Sequence, residues 1–240
     1  MTHGILMRIC RMMALRLLAS APIAAVAIVA GCLSSTDIRN SDPPTLRFVN
    51  ASAESFVNVH LDDLTDPITT LSTNVAAPGC FLVLPEVHLV SFIQNDETLE
   101  EFEAPFHSDS EYVVVLTGEG TSYRGFAVTN DQEVEAGSFG LTLINATTVA
   151  GDVYVTGVTE EPTPATRVAS SLESVVSTTT QSPHVIVPGA NLRVRFFDVG
   201  TTTTPRADIT LDPLDARSAT VVFTSGAFPA TGAIQVRPCD

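Results

Sequence analysis

Chemistry-bearing side chains are few and widely spaced in this chain: five histidines, four cysteines and 27 acidic residues over 240 positions, with no lysine and no tryptophan. His60, His88, His107 and His184 stand far apart. A zinc site wants three or more ligands, commonly with a local pair such as H-x-H or H-E-x-x-H, and no such pair exists. Acidic runs at Asp62-Asp63 with Asp66, at Asp96-Glu97 with Glu100-Glu101 and Glu103, and at Asp109 with Glu111 could offer oxygen ligands to calcium from separate loops. They lack the D-x-[DN]-x-[DN]-G spacing, and solvated loop charge is their commoner origin. The nucleophile signatures G-x-S-x-G, S-x-x-K and Cys-His are missing as well. Gly118-Glu119-Gly120 has neither the third glycine nor the lysine of a phosphate cradle and reads as a hairpin turn. The residues therefore name no catalytic, metal or cofactor site.

One cysteine has an instructive setting. Arg8, Arg11 and Arg16 precede an apolar run from Leu17 to Ala30, which ends in Val29-Ala30-Gly31-Cys32. A basic start followed by a short apolar stretch is export-signal geometry, and the run is too short for a spanning helix. Small residues leading directly into Cys32 resemble the lipobox of bacterial lipoproteins. That resemblance implies removal of residues 1–31, acylation of Cys32, and a membrane partner held through the lipid. Leu33 is not the aspartate associated with inner-membrane retention, so the resemblance points to the outer membrane of a cell envelope.

Loss of residues 1–31 leaves nine arginines against the 27 acidic residues, a formal charge of −18. Nucleic acid is excluded as a partner by that repulsion. Only Cys80 and Cys239 remain for the folded part, and outside the cytoplasm two leftover thiols suggest a disulfide closing a long loop. Two separately buried thiols are the alternative.

The elements that would position these residues are strands. Residues 32–45 are polar and end in Pro43-Pro44, as a tether should. Beyond them, eleven runs rich in Val, Leu, Ile, Phe and Thr are separated by Gly, Pro, Asn and Asp: Leu46–Val49, Phe56–Leu61, Phe81–Leu84, His88–Ile93, Tyr112–Thr117, Gly140–Ile144, Asp152–Val155, His184–Val187, Leu192–Val199, Ala219–Thr224 and Ala233–Val236. The segment from Pro164 to Thr180 has weak helical spacing, but its Ser and Thr content suits a long loop or an edge strand equally well.

The runs repeat in order. LRFVNAS at Leu46–Ser52 is echoed by LTLINAT at Leu141–Thr147, and NVHL at Asn58–Leu61 by DVYV at Asp152–Val155. Phe81–Leu84 before Pro85 matches His184–Val187 before Pro188. Two copies, 46–136 and 137–240, have the size of small β-sandwiches, and the expected fold is all-β with two tandem antiparallel sandwich domains, immunoglobulin-like or transthyretin-like. LRFVNAS, the following NVHL or DVYV strand, the strand ending in Pro, and the closing YVVVLTG resemble the bacterial domain of unknown function 4397, from Leu46 to near the C-terminus. The second copy departs from that pattern through the Thr- and Ser-rich stretch from Thr156 to Ser182. The resemblance implies an all-β envelope module and no particular activity.

Asn50-Ala51-Ser52 and Asn145-Ala146-Thr147 fit a glycosylation sequon, but a strand-ending Asn turn explains them better. Tyr112, Tyr123 and Tyr154 are the candidate exposed aromatic platforms, while the phenylalanines suit a core. The reading is a lipid-anchored envelope protein with a non-catalytic structural, adhesive or ligand-binding role, facing an envelope protein or a glycan. A hydrolase or accessory domain acting on envelope polymers, and a calcium-binding surface module, are its rivals.

Overall fold

In both repeats the first strand lies beside the last long apolar strand, running in the same direction. The computed structural model describes residues 41–130, 134–175, 184–188, 191–211, 218–224 and 232–239, so Cys32 and the segment expected to be an export signal lie outside the described residues. The chain divides into Met1–Ser41 and Asp42–Asp240, and the second unit holds every described strand.

The first repeat contains β1 (Thr45–Ser52), β2 (Val57–Leu61), β3 (Thr69–Leu71), β4 (Val75–Ala76), β5 (Phe81–Leu82), β6 (Val87–Gln94), β7 (Glu97–Pro105), β8 (Glu111–Glu119) and β9 (Ser122–Thr129). The second contains β10 (Ser138–Ala146), β11 (Gly151–Gly157), β12 (Arg167–Leu172), β13 (His184–Pro188), β14 (Leu192–Asp198), β15 (Ala207–Thr210), β16 (Ser218–Thr224) and β17 (Gly232–Val236). One inner sheet runs β4-β1-β8-β9, with β5 also on β1, and its counterpart runs β13-β10-β16-β17. The outer sheets run β3-β2-β6-β7 and β12-β11-β14-β15. The all-β sandwich architecture expected from the sequence is present, and the repeat is visible as a repeated strand order.

The one topological departure is the parallel pairing of β1 with β8 and of β10 with β16, inside sheets that are otherwise antiparallel. The strands of each pair are joined by a crossover through the outer sheet rather than by a hairpin, which allows them to run the same way. Within each repeat the inner and outer sheets enclose a core, Leu46, Phe48, Val59, Phe92 and Leu116 in the first and Leu141, Leu143, Val194, Phe196 and Phe223 in the second. A third apolar cluster lies between the two inner sheets, formed by Val49, Ala51, Val113, Val115, Ile144, Ala146 and Val222 with others. Strands buried on both faces lose the apolar–polar alternation and become continuous apolar runs, as in VVVL of β8 and TVVF of β16. The outer strand β2 faces the core on one side only and keeps its alternation.

Hydrogen bonds across the junction fix how the inner sheets lie. Thr220 Oγ1 donates to Asn130 Oδ1 (2.7 Å) and the Cys239 N–H to Glu111 Oε1 (2.9 Å) near the starts of β16 and β8. Thr117 Oγ1 donates to the Ala146 carbonyl (3.1 Å) where β8 and β10 end. The parallel strands β1, β8, β10 and β16 therefore start at the same end of the molecule. The segment Pro164 to Thr180, as far as it is described, is a 3-10 turn at Pro164–Thr166 followed by edge strand β12, not an α-helix.

Candidate functional site

The two Asn-Ala-Ser/Thr motifs finish β1 and β10 in the same geometry. Asn50 Oδ1 accepts from the Ser52 N–H (3.0 Å) and Ser52 Oγ (2.6 Å), and its Nδ2 donates to the Glu54 carbonyl (2.8 Å). Asn145 Oδ1 accepts from the Thr147 N–H (3.0 Å) and Thr147 Oγ1 (2.6 Å), while its Nδ2 donates to the carbonyls of Val149 and Leu172 (2.8 Å each). Both side chains are fully buried, so each amide nitrogen is spent on the fold. This is an Asx-type strand terminus used twice. Beside these corners, Ala51, Ala53, Gly118, Glu119, Ser122, Ala146 and Thr148 line a cleft of about 250 Å³ to which both repeats contribute. That is smaller than most small-molecule sites. As the sequence suggested, the glycines beside it belong to a tight β8–β9 hairpin, with Glu119 opposite Ser122. Gly118 has φ of 109°, and a Cβ there would meet the Ser122 carbonyl oxygen at 2.0 Å.

His88 and Asp62 form the closest approach to an acid–base pair, at 2.8 Å between Nδ1 and Oδ2. The other ring nitrogen, Nε2, lies 2.9 Å from the Leu84 carbonyl, and Asp62 Oδ1 accepts from the Leu89 N–H (3.0 Å). Two acceptors face the ring, so satisfying both requires the imidazolium. Burial alone would lower the His88 pKa, but the Leu84 carbonyl and the Asp62 carboxylate outweigh it and hold the ring above its ordinary value. Burial also acts to raise Asp62, and the bonds from His88 and Leu89 overcome that and keep the carboxyl below its usual range. With both nitrogens engaged, the pair clamps the Asp62 turn to the Leu84 loop and leaves no free base.

Sequence reasoning did not single out Asp152, a carboxylate 1% exposed at the start of β11. Its oxygens accept from the Ser171 N–H (2.8 Å) and the Gly200 N–H (3.0 Å), and Arg167 lies 3.5 Å away. Burial pushes this carboxyl up, while the two N–H donors and Arg167 bring it below the ordinary value. Ser171 sits at φ of 49° in a strand whose register against β11 shifts, so Asp152 pins an irregular edge. Also unforeseen was Arg195, 4% exposed, donating to Thr156 Oγ1 (2.8 Å) and to the Glu160 carbonyl and pairing with Glu161 (3.3 Å).

The other histidines do not converge. His60 Nδ1 lies 3.1 Å from the Leu64 carbonyl, His184 Nδ1 lies 3.2 Å from Thr142 Oγ1 with burial lowering its pKa, and His107 is exposed. Among the described residues no group of three or more His, Cys, Asp or Glu side chains is arranged to hold a metal ion. Of the acidic run on β7, Glu100 accepts from the Gly125 N–H (3.3 Å) and Glu101 from Ser91 Oγ (3.0 Å). The charges line an edge strand, where they discourage pairing with another chain.

The aromatic platforms need correction. Tyr112 and Tyr154 are 6% and 5% exposed, packed edge-on against Phe106 and Phe197, because their strands are covered on both faces or by long loops. Tyr123 is half-buried and donates to Glu54 Oε1 (2.6 Å), and burial with the neighbouring carboxylate pushes its pKa up to about 12. Among the described residues the exposed ring is Phe56, 71% accessible at φ of 60°, an uncommon conformation for a bulky residue.

Cys80 and Cys239 are disulfide-bonded, with a Cα–Cα distance of 6.0 Å and a sequence separation of 159. The bond joins the edge of the first inner sheet to the segment after β17, so it staples one repeat to the other. Arg47 sits on the staple, donating to Cys80 Sγ (3.0 Å) and to the Pro238 carbonyl (3.4 Å).

Fold and site together define an all-β protein of two stacked sandwiches whose buried polar groups serve the architecture. No protein-family model and no curated protein sequence matches the chain. Among solved structures it is similar to a family 41 carbohydrate-binding module from streptococcal virulence factors, studied for alpha-glucan recognition, at 13% identity over 79% of this chain and 95% of that one, TM-score 0.29. It is also similar to CBMbc, a family CBM26 module from Eubacterium rectale Amy13K in complex with maltoheptaose, at 12% identity over 81% and 98% of the two chains, TM-score 0.26. No ligand assignment follows from likeness at this level.

Proposed function

We propose that this is an exported lipoprotein of the cell envelope, anchored through Cys32 and held at the outer membrane, whose repeats 46–136 and 137–240 act as a non-catalytic structural, adhesive or ligand-binding body. The observation that carries the reading is the Cys80–Cys239 staple. Such a bond persists in an oxidising compartment, and the basic, apolar, small-residue sequence ending at Cys32 supplies the route there. The absence of catalysis is supported by what the best acid–base candidates do: His88, Asp62 and Asp152 spend their polar atoms on backbone and on each other. An envelope protein or a glycan is then met by exposed loops, the usual place for recognition on a sandwich. The family resemblance to the bacterial domain of unknown function 4397 belongs to this same reading.

The test is Cys32→Ala in cells. Wild-type protein should partition into detergent and take up labelled fatty acid, whereas the variant should do neither. Equal partitioning of the two proteins would refute the anchor.

A further inference from the structure

We infer that the exposed apolar side chains of Leu64, Leu82, Leu84 and Val87 form a seat by which the first sandwich rests on the lipid surface that holds the Cys32 anchor. The inference builds on the lipoprotein reading above. These four side chains are 55%, 69%, 66% and 59% exposed, and the hydrogen bonds and strand pairings around them place them at one end of the molecule. Val87 opens β6, His88 ties the Leu84 carbonyl to Asp62, and the Leu64 N–H bonds the Leu61 carbonyl (3.3 Å) just beyond it.

That end is where the chain arrives from Cys32. Leu82 pairs opposite Thr45, and the Val83 N–H donates to the Pro44 carbonyl (3.1 Å). Asp42 is pinned in turn, its N–H to Asp109 Oδ1 (2.7 Å) and its carbonyl accepting from the Asp109 N–H (2.9 Å). Ten residue steps separate Cys32 from Asp42, so an acylated Cys32 keeps this end within about 35 Å of the bilayer. A covalent tether makes the second contact intramolecular, and four modest apolar side chains then suffice where a free protein would need more. The second repeat adds Ile186 at the same end, paired opposite Gly140 as Leu82 is opposite Thr45.

The charge around the seat selects the lipid. Asp63, Asp66 and Glu86 are exposed beside it, so a zwitterionic surface is the partner and an anionic one is repelled.

Because the chain has no tryptophan, Leu84→Trp in the full-length lipidated protein gives a single fluorophore in the seat. Val199→Trp, at the opposite end beyond β14 and replacing a side chain 52% exposed, is the control. Both proteins are reconstituted in phosphatidylcholine vesicles whose acyl chains carry bromine near the headgroup. Emission from Leu84→Trp should fall about two-fold or more against unbrominated vesicles, Val199→Trp should not change, and added phosphatidylglycerol should weaken the quenching. Vesicle flotation of Leu84→Trp without quenching would overturn the seat alone. Failure of the protein to float would overturn the anchor reading and the seat with it. A blue shift that grows with protein density but not with bromine would assign the face to a second copy and overturn the lipid partner.

Discussion

Removing the Cys80–Cys239 bond tests whether the two repeats share one stability. The bond closes a loop of 159 residues, for which loop-closure entropy gives about 5 kcal/mol at 25 °C, toward the upper end of what native disulfides contribute. In urea, with a slope of about 2 kcal/mol/M, Cys80→Ala/Cys239→Ala should lower the unfolding midpoint by about 2.5 M. The same loss should follow reduction of the wild-type protein before unfolding. The apolar cluster between the inner sheets predicts one cooperative transition in the oxidised protein. A midpoint shift below about 0.3 M would refute the reasoning, because the unfolded chain would then have gained no freedom from the cut.

His88 gives a pH-dependent test: its folded pKa lies above the unfolded value, so its contribution is complete below about pH 6.5 and is lost as pH rises through the folded value. Thermal midpoints of wild type should fall across that interval, and those of His88→Gln should lose that part of the slope. Asn145→Ala should cost about 2–4 kcal/mol in denaturant unfolding, and more than Asn50→Ala, because only Asn145 also holds the Leu172 carbonyl. Ile144→Asp places a carboxylate between the inner sheets and should cost about 4 kcal/mol or more, measured by urea unfolding.

Every apolar run read from the sequence contains a strand, since β-branched and aromatic runs bounded by turn residues have few other outcomes. Phe81–Leu84 is one only at Phe81–Leu82, and Phe56 and Val199 fall outside theirs. The strands that escaped notice carry weaker signals. In β7, Glu-Thr-Leu-Glu-Glu-Phe-Glu is an edge strand whose acidic residues mask its alternation. In β9 a glycine interrupts the run where the Phe102 ring lies against the strand. Parallel pairing of Thr45–Ser52 with Glu111–Gly118 was hidden because it joins distant segments, although the uninterrupted apolarity of β8 was its trace. That two-sided cover also misplaced Tyr112, whose position in the run could not say which neighbour would shield it. The engagement of His88, Asp152 and Arg195 depends on loops meeting in space and has no linear signature.

The parallel pairs impose an order on assembly. As the polypeptide emerges from its N-terminus, Thr45–Ser52 must wait for Glu111–Gly118 before its central partner exists, and Gly140–Ala146 must wait for Ser218–Thr224. Such long-range pairing makes folding slow and leaves apolar strands unprotected meanwhile. Cys80 stays a reactive thiol until Cys239 is delivered, so a product cut short before Cys239 would carry an unmatched sulfur.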